Sequence, residues 1–585
     1  MELVEEILAK ELSNAFKKSG YNEDVNVQIC SLENLGDYQC CEPLMLAKKY
    51  HKSPMQIAND VLSNLGKVEL IANASVAAPG YINIFLDNFE LAKYLVKYLK
   101  HVDEIVKKHG EKKNVIVDYG GANVAKPLHV GHLRTAIIGE SIKRLCSYLG
   151  DNTLGDVHLG DWGLQMGMVI TEIKRMQPNL VYFDEHYKGK YPDFSPVTLD
   201  ELSILYPKAS ARAKSDENAM EEAKQATFEL QHGRRGYLAL WKNILELSKK
   251  DLKKNYDNLN VSFDLWLGES DSRKYYEEVV EYTKNSGYAK LSQGAWIVDV
   301  SEEGDKKEVP PFILLKSDGS VLYSTTDLAT IVQRERENNV DKIIYVVDNR
   351  QEMHFTQVFR CVNKIKILKK PIELCFVGFG TMNGKDGKPY KTRDGGVMQL
   401  SVLIQDVKTK ALEKLKLSKQ EDLLLNDEME NIANVIALAA LKFADLSIYR
   451  TKDYIFDVDK FTSFEGKTGP YILYTVTRAK SILNKVKDFS SNVDFEIFGE
   501  DRKLALILIQ FHKEIVLAYK SLSPNLICDY VYKLANAFNS FYAKSSIIYE
   551  QDTKIKSSKI ELTKLTLEVI EKCLKLLAIK SLDRM

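Results

Sequence analysis

Two histidines, His129 and His132, flank Gly131 in the run Asn123-Val-Ala-Lys-Pro-Leu-His-Val-Gly-His132. Imidazoles can donate ring N–H groups to phosphate oxygens without carrying full charge near neutral pH. Lys126, shortly before them, can place an ammonium against the same oxygens. Gly131 leaves room for a flat base to lie on the backbone. The β-branched run Asn114-Val-Ile-Val-Asp-Tyr119 comes before the motif, and a helical pattern from about Leu133 to Leu149 comes after it. Strand, tight loop and helix N-terminus together set phosphate oxygens against backbone N–H groups and the positive end of a helix dipole. The same spacing could also form a two-ligand metal corner or simply cap a helix.

Other candidate groups lie further along. Asp118 ends the strand before the motif. Tyr323-Ser-Thr-Thr-Asp327 puts an aromatic and a carboxylate on one face if a helix starts there, and Gln351 follows the apolar run Ile343–Val347. Carboxylates near strand C-termini sit where open α/β sheets bind ligands, and a planar cation such as guanidinium needs such acceptors. The segment Gly384-Lys-Asp-Gly-Lys-Pro-Tyr-Lys-Thr-Arg-Asp-Gly-Gly396 is a pliable basic loop. His158-Leu-Gly-Asp-Trp-Gly-Leu-Gln165 reads as a turn plugged by a tryptophan, with Gln165 free for a contact. His354 sits on the helix expected at about 351–366. Gly466-Lys-Thr468 is no phosphate loop, because Phe461 stands where that motif needs glycine.

These groups need several domains to hold them. The 585 residues are 45% hydrophobic, enough for three or four cores. From about 113 the pattern runs strand, helix, strand, which predicts a parallel sheet with crossover helices. A polar helical stretch at about 175–265 reads as an insertion. Trp296–Val300, Lys342–Val347 and Glu373–Val377 then resume short apolar strands. Residues 1–110 mix helix and strand, and the chain after about 405 is helical by period. The 81 basic and 81 acidic residues cancel, so any phosphate contact must come from a local basic face. No apolar run is long enough to span a membrane, and the acidic amphipathic start lacks the features of a targeting segment. Eight scattered cysteines without a CxxC pair favour a reducing cytoplasm over a zinc ribbon or a disulfide framework.

His129-Val-Gly-His132 resembles the His-X-Gly-His motif of class I aminoacyl-tRNA synthetases. Its flanks, Asn-Val-Ala-Lys-Pro and Leu-Arg-Thr-Ala-Ile-Ile-Gly, are similar to the arginyl branch. The blocks around Gly160-Asp-Trp-Gly, Tyr323, Gly384–Gly396 and Phe464–Tyr471 extend the resemblance along nearly the whole chain. It implies a multidomain α/β and all-α protein. The parts would be a small α+β tRNA-contacting domain (1–110), a Rossmann-type catalytic domain (111–404, with the insertion), a helical linker (405–455) and a helical anticodon-binding bundle (456–585).

The implied reaction joins L-arginine to ATP, giving arginyl-adenylate and pyrophosphate, then moves arginine to the 3′-terminal adenosine of its tRNA. Activation would require bound tRNA. Lys126, His129, His132, Lys391 and Arg393 would serve catalysis, and His129, Gly131, His132, Lys126 and His354 would meet ATP. Asp118, Asn123, Tyr323, Asp327, Gln351 and Gln165 would hold arginine, while Tyr471 and Tyr474 would meet tRNA. One departure stands out: Thr392 occupies the place of the second lysine of the family's Lys-Met-Ser-Lys-Ser loop, and Lys126 is read as the substitute charge. Magnesium would arrive with ATP, with no zinc and no membrane partner, and the chain would act as a cytoplasmic monomer. The alternative is a catalytically silent tRNA-binding paralogue.

Overall fold

The computed structural model describes residues 1–30, 32, 34–388, 398–417, 426–487, 489, 495–499 and 501–585. The catalytic region is built on four parallel strands: β1 (Asn114–Asp118), β2 (Asn152–Asp156), β3 (Lys342–Asp348) and β4 (Glu373–Phe379), in the order β4-β3-β1-β2. Alternate residues face opposite sides of such a sheet. Val115, Val117, Ile344 and Val346 pack with Leu133, Ala136 and Ile137 of helix α1 (Val130–Leu149). Ile116, Ile343 and Tyr345 pack instead with helices α2 (Tyr323–Asn338) and α3 (Glu352–Ile365). Both faces are therefore covered, which explains why these strands read as continuous apolar runs.

The chain leaves β1 for β2 on one side and returns beside β1 on the other as β3. The strand order thus reverses between β1 and β3, and a crevice opens outside their carboxyl ends. The connection from β2 to β3 holds the insertion, helices Leu199–Ser215, Glu217–Gln231 and Arg235–Asn258. The run at Trp296 does not join the parallel sheet. Ala295–Val298 is the middle strand of a separate antiparallel sheet with Ala289–Ser292 and Phe312–Leu315. Its apolar character comes from packing on α2, which apolarity alone does not distinguish from a place in the main sheet.

The N-terminal region pairs a four-stranded antiparallel sheet with helices Val4–Lys18, Glu42–Tyr50 and Pro54–Ser63. Helix Asn88–Lys107, capped by Asp87, leads from it to β1. Beyond β4, helices account for most of the described chain. Among them are α4 (Asn426–Leu446), α5 (Gly469–Lys485), α6 (Asn525–Lys544) and α7 (Thr553–Leu576). No described helix is long and apolar enough to cross a membrane.

Helix α1 lies so close to β1 that a Cβ on Gly139 would come within 2.3 Å of the Tyr119 side chain. Alanine there gains about 1 kcal/mol of helix propensity but overpacks a full site, at a cost of about 1–3 kcal/mol. Gly139→Ala should therefore lower the thermal unfolding midpoint. A midpoint unchanged or raised would mean that Tyr119 gives way.

Candidate active site

Helix α1 opens into the crevice with an unusual cap. The Gly131 N–H donates to His129 Nδ1 at 3.1 Å, and the His129 N–H donates to His132 Nδ1 at 3.0 Å. The two rings lie 3.9 Å apart. Each Nδ1 accepts a hydrogen bond, so each neutral ring carries its proton on Nε2, as an N–H donor. Burial and the nearby Lys126 charge hold the His129 pKa below its usual value. Burial and the His129 ring push that of His132 down to about 3. Both rings are thus neutral donors at physiological pH. The glycine between them has a steric reason: a Cβ at Gly131 would meet the His129 ring at 2.9 Å.

Lys126 is half-buried, and its ammonium lies 4.1 Å from the centre of the Tyr206 ring, on the insertion. The loop before the motif pairs with the turn after β2, where Val124 N–H donates to Gly160 O and Gly160 N–H to Ala122 O. A Cβ at Gly160 would fall 2.3 Å from Asn123 Oδ1, and the Gln165 amide donates to the Gly160 carbonyl. Asn123 and Gln165 therefore sit together, as neighbours of the motif. Trp162 is buried against Trp241 and plugs this turn.

Asp118 has a partner that the sequence did not reveal. The fully buried Arg334 of α2 donates Nη2 to Asp118 Oδ2 at 2.5 Å and to Asp156 Oδ2 at 2.7 Å, beneath the Tyr345 ring. His158 completes this cluster, the one group among the described residues with metal-ligand spacing. Its acids already share a guanidinium, and Asp118 keeps only 7% of its surface exposed.

The less committed acids lie nearer the mouth of the crevice. Tyr323 and Asp327 occupy the first turns of α2, one helical turn apart, and Tyr323 is 67% exposed. The His354 ring nitrogen bonds Asp327 Oδ2, so His354 is tied to this acid, and Gln351 is exposed at the N-cap of α3. A third acid, Glu269, was not singled out from sequence. Its pKa is pushed up to about 7, first by burial and then by the neighbouring Asp161 and Asp327 carboxylates. Nothing in its local pattern marks it; only the fold brings it to α2. Lys391 and Arg393 lie outside the described residues.

A second aromatic group lies on the helical region. The Arg478 guanidinium sits 4.5 Å from the Tyr474 ring centre and 5.0 Å from that of Tyr542. Tyr474 is 41% exposed, whereas Tyr471 packs on Tyr532 and bonds Asn536.

Residues 94–458 match the family profile described as the catalytic domain of class I (R) tRNA synthetases. Residues 2–86 match the arginyl tRNA synthetase N terminal domain, and 472–585 the DALR anticodon binding domain. The chain belongs to the arginyl-tRNA synthetase family. It is 51% identical to the arginine–tRNA ligase of Alkaliphilus oremlandii, over 99% of this chain and 100% of that one. It is 48% identical to that of Agathobacter rectalis, over 99% of both. The arginyl-tRNA synthetase of Plasmodium falciparum aligns with a TM-score of 0.81 at 27% identity, over the full length of both chains. That of Thermus thermophilus, at 0.77 and 20%, shares the fold over the same full coverage.

For a member of this family, the charge state of Glu269 becomes measurable. A guanidinium prefers the ionised carboxylate, so arginine affinity should rise with pH through about 7 and level off above it. Glu269→Gln should remove that limb and raise the arginine KM about tenfold or more, since charge-assisted hydrogen bonds contribute about 1.5–3 kcal/mol. A KM profile unchanged by the substitution between pH 6 and 8 would exclude Glu269 from arginine binding.

Proposed function

We propose that the chain is an active arginine–tRNA ligase, working as a cytoplasmic monomer. The observation that carries this reading is the reciprocally capped pair of neutral histidines at the switch point of the sheet, beside an acid-lined crevice. The silent-paralogue alternative finds no support. The donors and Lys126 are all present, and the full-length relatives bear the ligase name. The eight free cysteines are in keeping with a reducing compartment.

In this reading ATP enters the crevice over the start of α1. His129 and His132 donate Nε2–H groups to its phosphates, joined by the positive end of the helix dipole. Arginine lies with its guanidinium toward Asp327 and Glu269 and against Tyr323, with Gln351 at the rim. Its α-amino and carboxylate end lies toward Asn123 and Gln165. Asp118, held by Arg334, faces the same end of the crevice from below. The arginine carboxylate then attacks the α-phosphorus in line, and pyrophosphate departs. Lys126 leaves Tyr206 to meet the charge that develops, with Lys391 and Arg393 as lesser contributors. His354 orients Asp327 on the adenosine side. Magnesium comes with ATP and keeps several of its waters; the Asp118–Asp156–His158 cluster has Arg334 as its cation and is not assigned to a metal.

The helical region from 456 onward is read as the anticodon binder. Arg478, Tyr474 and Tyr542 offer the stacking faces, and Tyr471 holds the helices behind them. Stacking contributes about 1–3 kcal/mol per base. Arg478→Ala should therefore raise the Kd for arginine tRNA about tenfold while leaving the arginine KM in place. A parallel change in both would mean that Arg478 supports the fold instead.

The direct test is ATP–pyrophosphate exchange with each of the twenty amino acids, with and without cognate tRNA. Exchange is expected with arginine alone and only when tRNA is present. Lys126→Ala should reduce it by 100-fold or more, that is by about 2.7 kcal/mol of transition-state stabilisation. Tight tRNA binding without exchange would return the silent paralogue.

A further inference from the structure

Helix α1 carries a second charged group close to the active histidines. Arg134 lies just beyond His132, yet its side chain is only 2% exposed. Its Nε is 2.9 Å from Asp445 Oδ2 on α4, and the Asp445 side chain is fully buried. The Tyr454 hydroxyl donates to the same Asp445 oxygen at 2.9 Å. Arg134 Nη1 donates to Lys452 O at 3.2 Å, and the guanidinium lies against the rings of Tyr454 and Phe379.

The position of this pair gives it a meaning. Tyr454–Ile455 pairs with the short strand Met382–Asn383, from which the basic segment departs. Tyr454 N–H donates to Thr381 O and Phe456 N–H to Asn383 O. The segment's other end returns beside the histidine motif, where Val130 N–H donates to Met398 O and Leu400 N–H to Leu128 O. Met398 and Leu400, which follow the segment, are thus bonded to the motif itself. The strand Met382–Asn383, which precedes it, is joined to the motif helix through Arg134, Asp445 and Tyr454. Asp445 also ends α4, which packs on α5, the helix that carries Tyr474 and Arg478.

A buried ion pair is a poor device for stability alone, because desolvation offsets most of its Coulombic gain. Here part of its hydrogen-bonding capacity is also unmet: Arg134 Nη2 and Asp445 Oδ1 are buried without a hydrogen-bond partner. What the pair does supply is a fixed orientation. We propose that Arg134 and Asp445 are positioning residues for arginine activation, a joint that sets the strand Met382–Asn383 and the helical region against the histidine helix. The proposal rests on the reading of the chain as an active ligase. It adds residues that touch neither substrate and that act through His129 and His132.

The test uses the full-length chain and two variants. Asp445→Asn leaves Arg134 without its counter-charge. The combined Arg134→Met, Asp445→Leu variant removes both charges and keeps an apolar filling. Asp445→Asn is expected to lower kcat for pyrophosphate exchange about 30-fold or more, with the arginine KM within about threefold, because a small misplacement of reacting groups can cost about 100-fold. The double variant should regain the wild-type thermal midpoint but not kcat. Recovery of kcat together with the midpoint would show that the pair is merely structural, as would an arginine KM rising in step with the loss of kcat. Hydrogen exchange supplies a readout besides activity: the Tyr454 and Phe456 amides should exchange faster in both variants, with the β1 and β3 amides unchanged. Wild-type protein without exchange activity would sink the ligase reading alone. Unchanged Tyr454 and Phe456 amides would overturn the joint whatever the activity.

Discussion

Helix α1 is buried along nearly its whole length, and the rest of the molecule is arranged by that constraint. It touches β1, β2 and β3, helix Asn88–Lys107 from the N-terminal region, and α4 and α7 from the helical region. A helix so enclosed cannot leave its charged side chains to water, and four of them find partners in other parts of the chain. Arg134 reaches Asp445, and Glu140 accepts from the Tyr119 hydroxyl. Lys143 holds the Ser262 carbonyl at the end of the insertion, and Arg144 donates to Lys575 O at the end of α7. Lys442 of α4 adds a contact nearby, binding Leu259 O and Ala578 O, and burial pulls its pKa down to about 7. These polar contacts set the orientation of the regions around one axle, where apolar packing alone tolerates sliding.

The N-terminal end of that axle is the part left open, and its electrostatics follow from burial. Charged histidines there would be costly in the enclosed state, so the pair is neutral and donates through Nε2. Positive charge is supplied instead by Lys126, which is only half-buried, and by the helix dipole. Across the crevice the acids are sorted by partner. Asp118 and Asp156 share Arg334, Asp327 holds His354, and Glu269, which burial raises to about 7 against the opposing pull of His158, stays partly protonated near neutrality. In the proposed reading, the arginine side chain takes its counter-charge from the acids that the protein's own cations leave least satisfied.

Local signals carried much of this into the sequence. The strand before the motif, the helix after it, Tyr323 and Asp327 one turn apart, and the tryptophan turn at His158–Gln165 all depend on residues close in the chain. Periodicity and turn chemistry reach that far. The partners that decide the site's charge do not. Arg334 reads as an ordinary polar position of an amphipathic helix, and Glu269 as a residue of a short polar turn. Arg134 and Asp445 look solvent-facing until three segments close over them. Each becomes functional only through a pairing across scores or hundreds of residues, which no window along the chain contains. The same reason separates Trp296 from the main sheet: its apolar strand pattern is real, but strand partners are chosen by tertiary packing.

The contact between Lys126 and Tyr206 gives the insertion a part in this arrangement. An ammonium over an aromatic face gains about 0.5–2 kcal/mol, depending on how dry the site is. That is enough to hold the lysine beside the motif. It is less than the about 1.5–3 kcal/mol of a single charge-assisted hydrogen bond, and a phosphate offers several acceptors. In the proposed mechanism a triphosphate in the crevice therefore outcompetes the ring, and the lysine moves only the length of its own side chain. In the same mechanism Lys126, at the motif, supplies the charge for which Thr392 offers no cation. In that reading the insertion is the wall on which the substitute cation waits, and the same insertion braces the loop before the motif, where Ala125 N–H donates to Ser248 Oγ and the Tyr256 hydroxyl to Gly120 O.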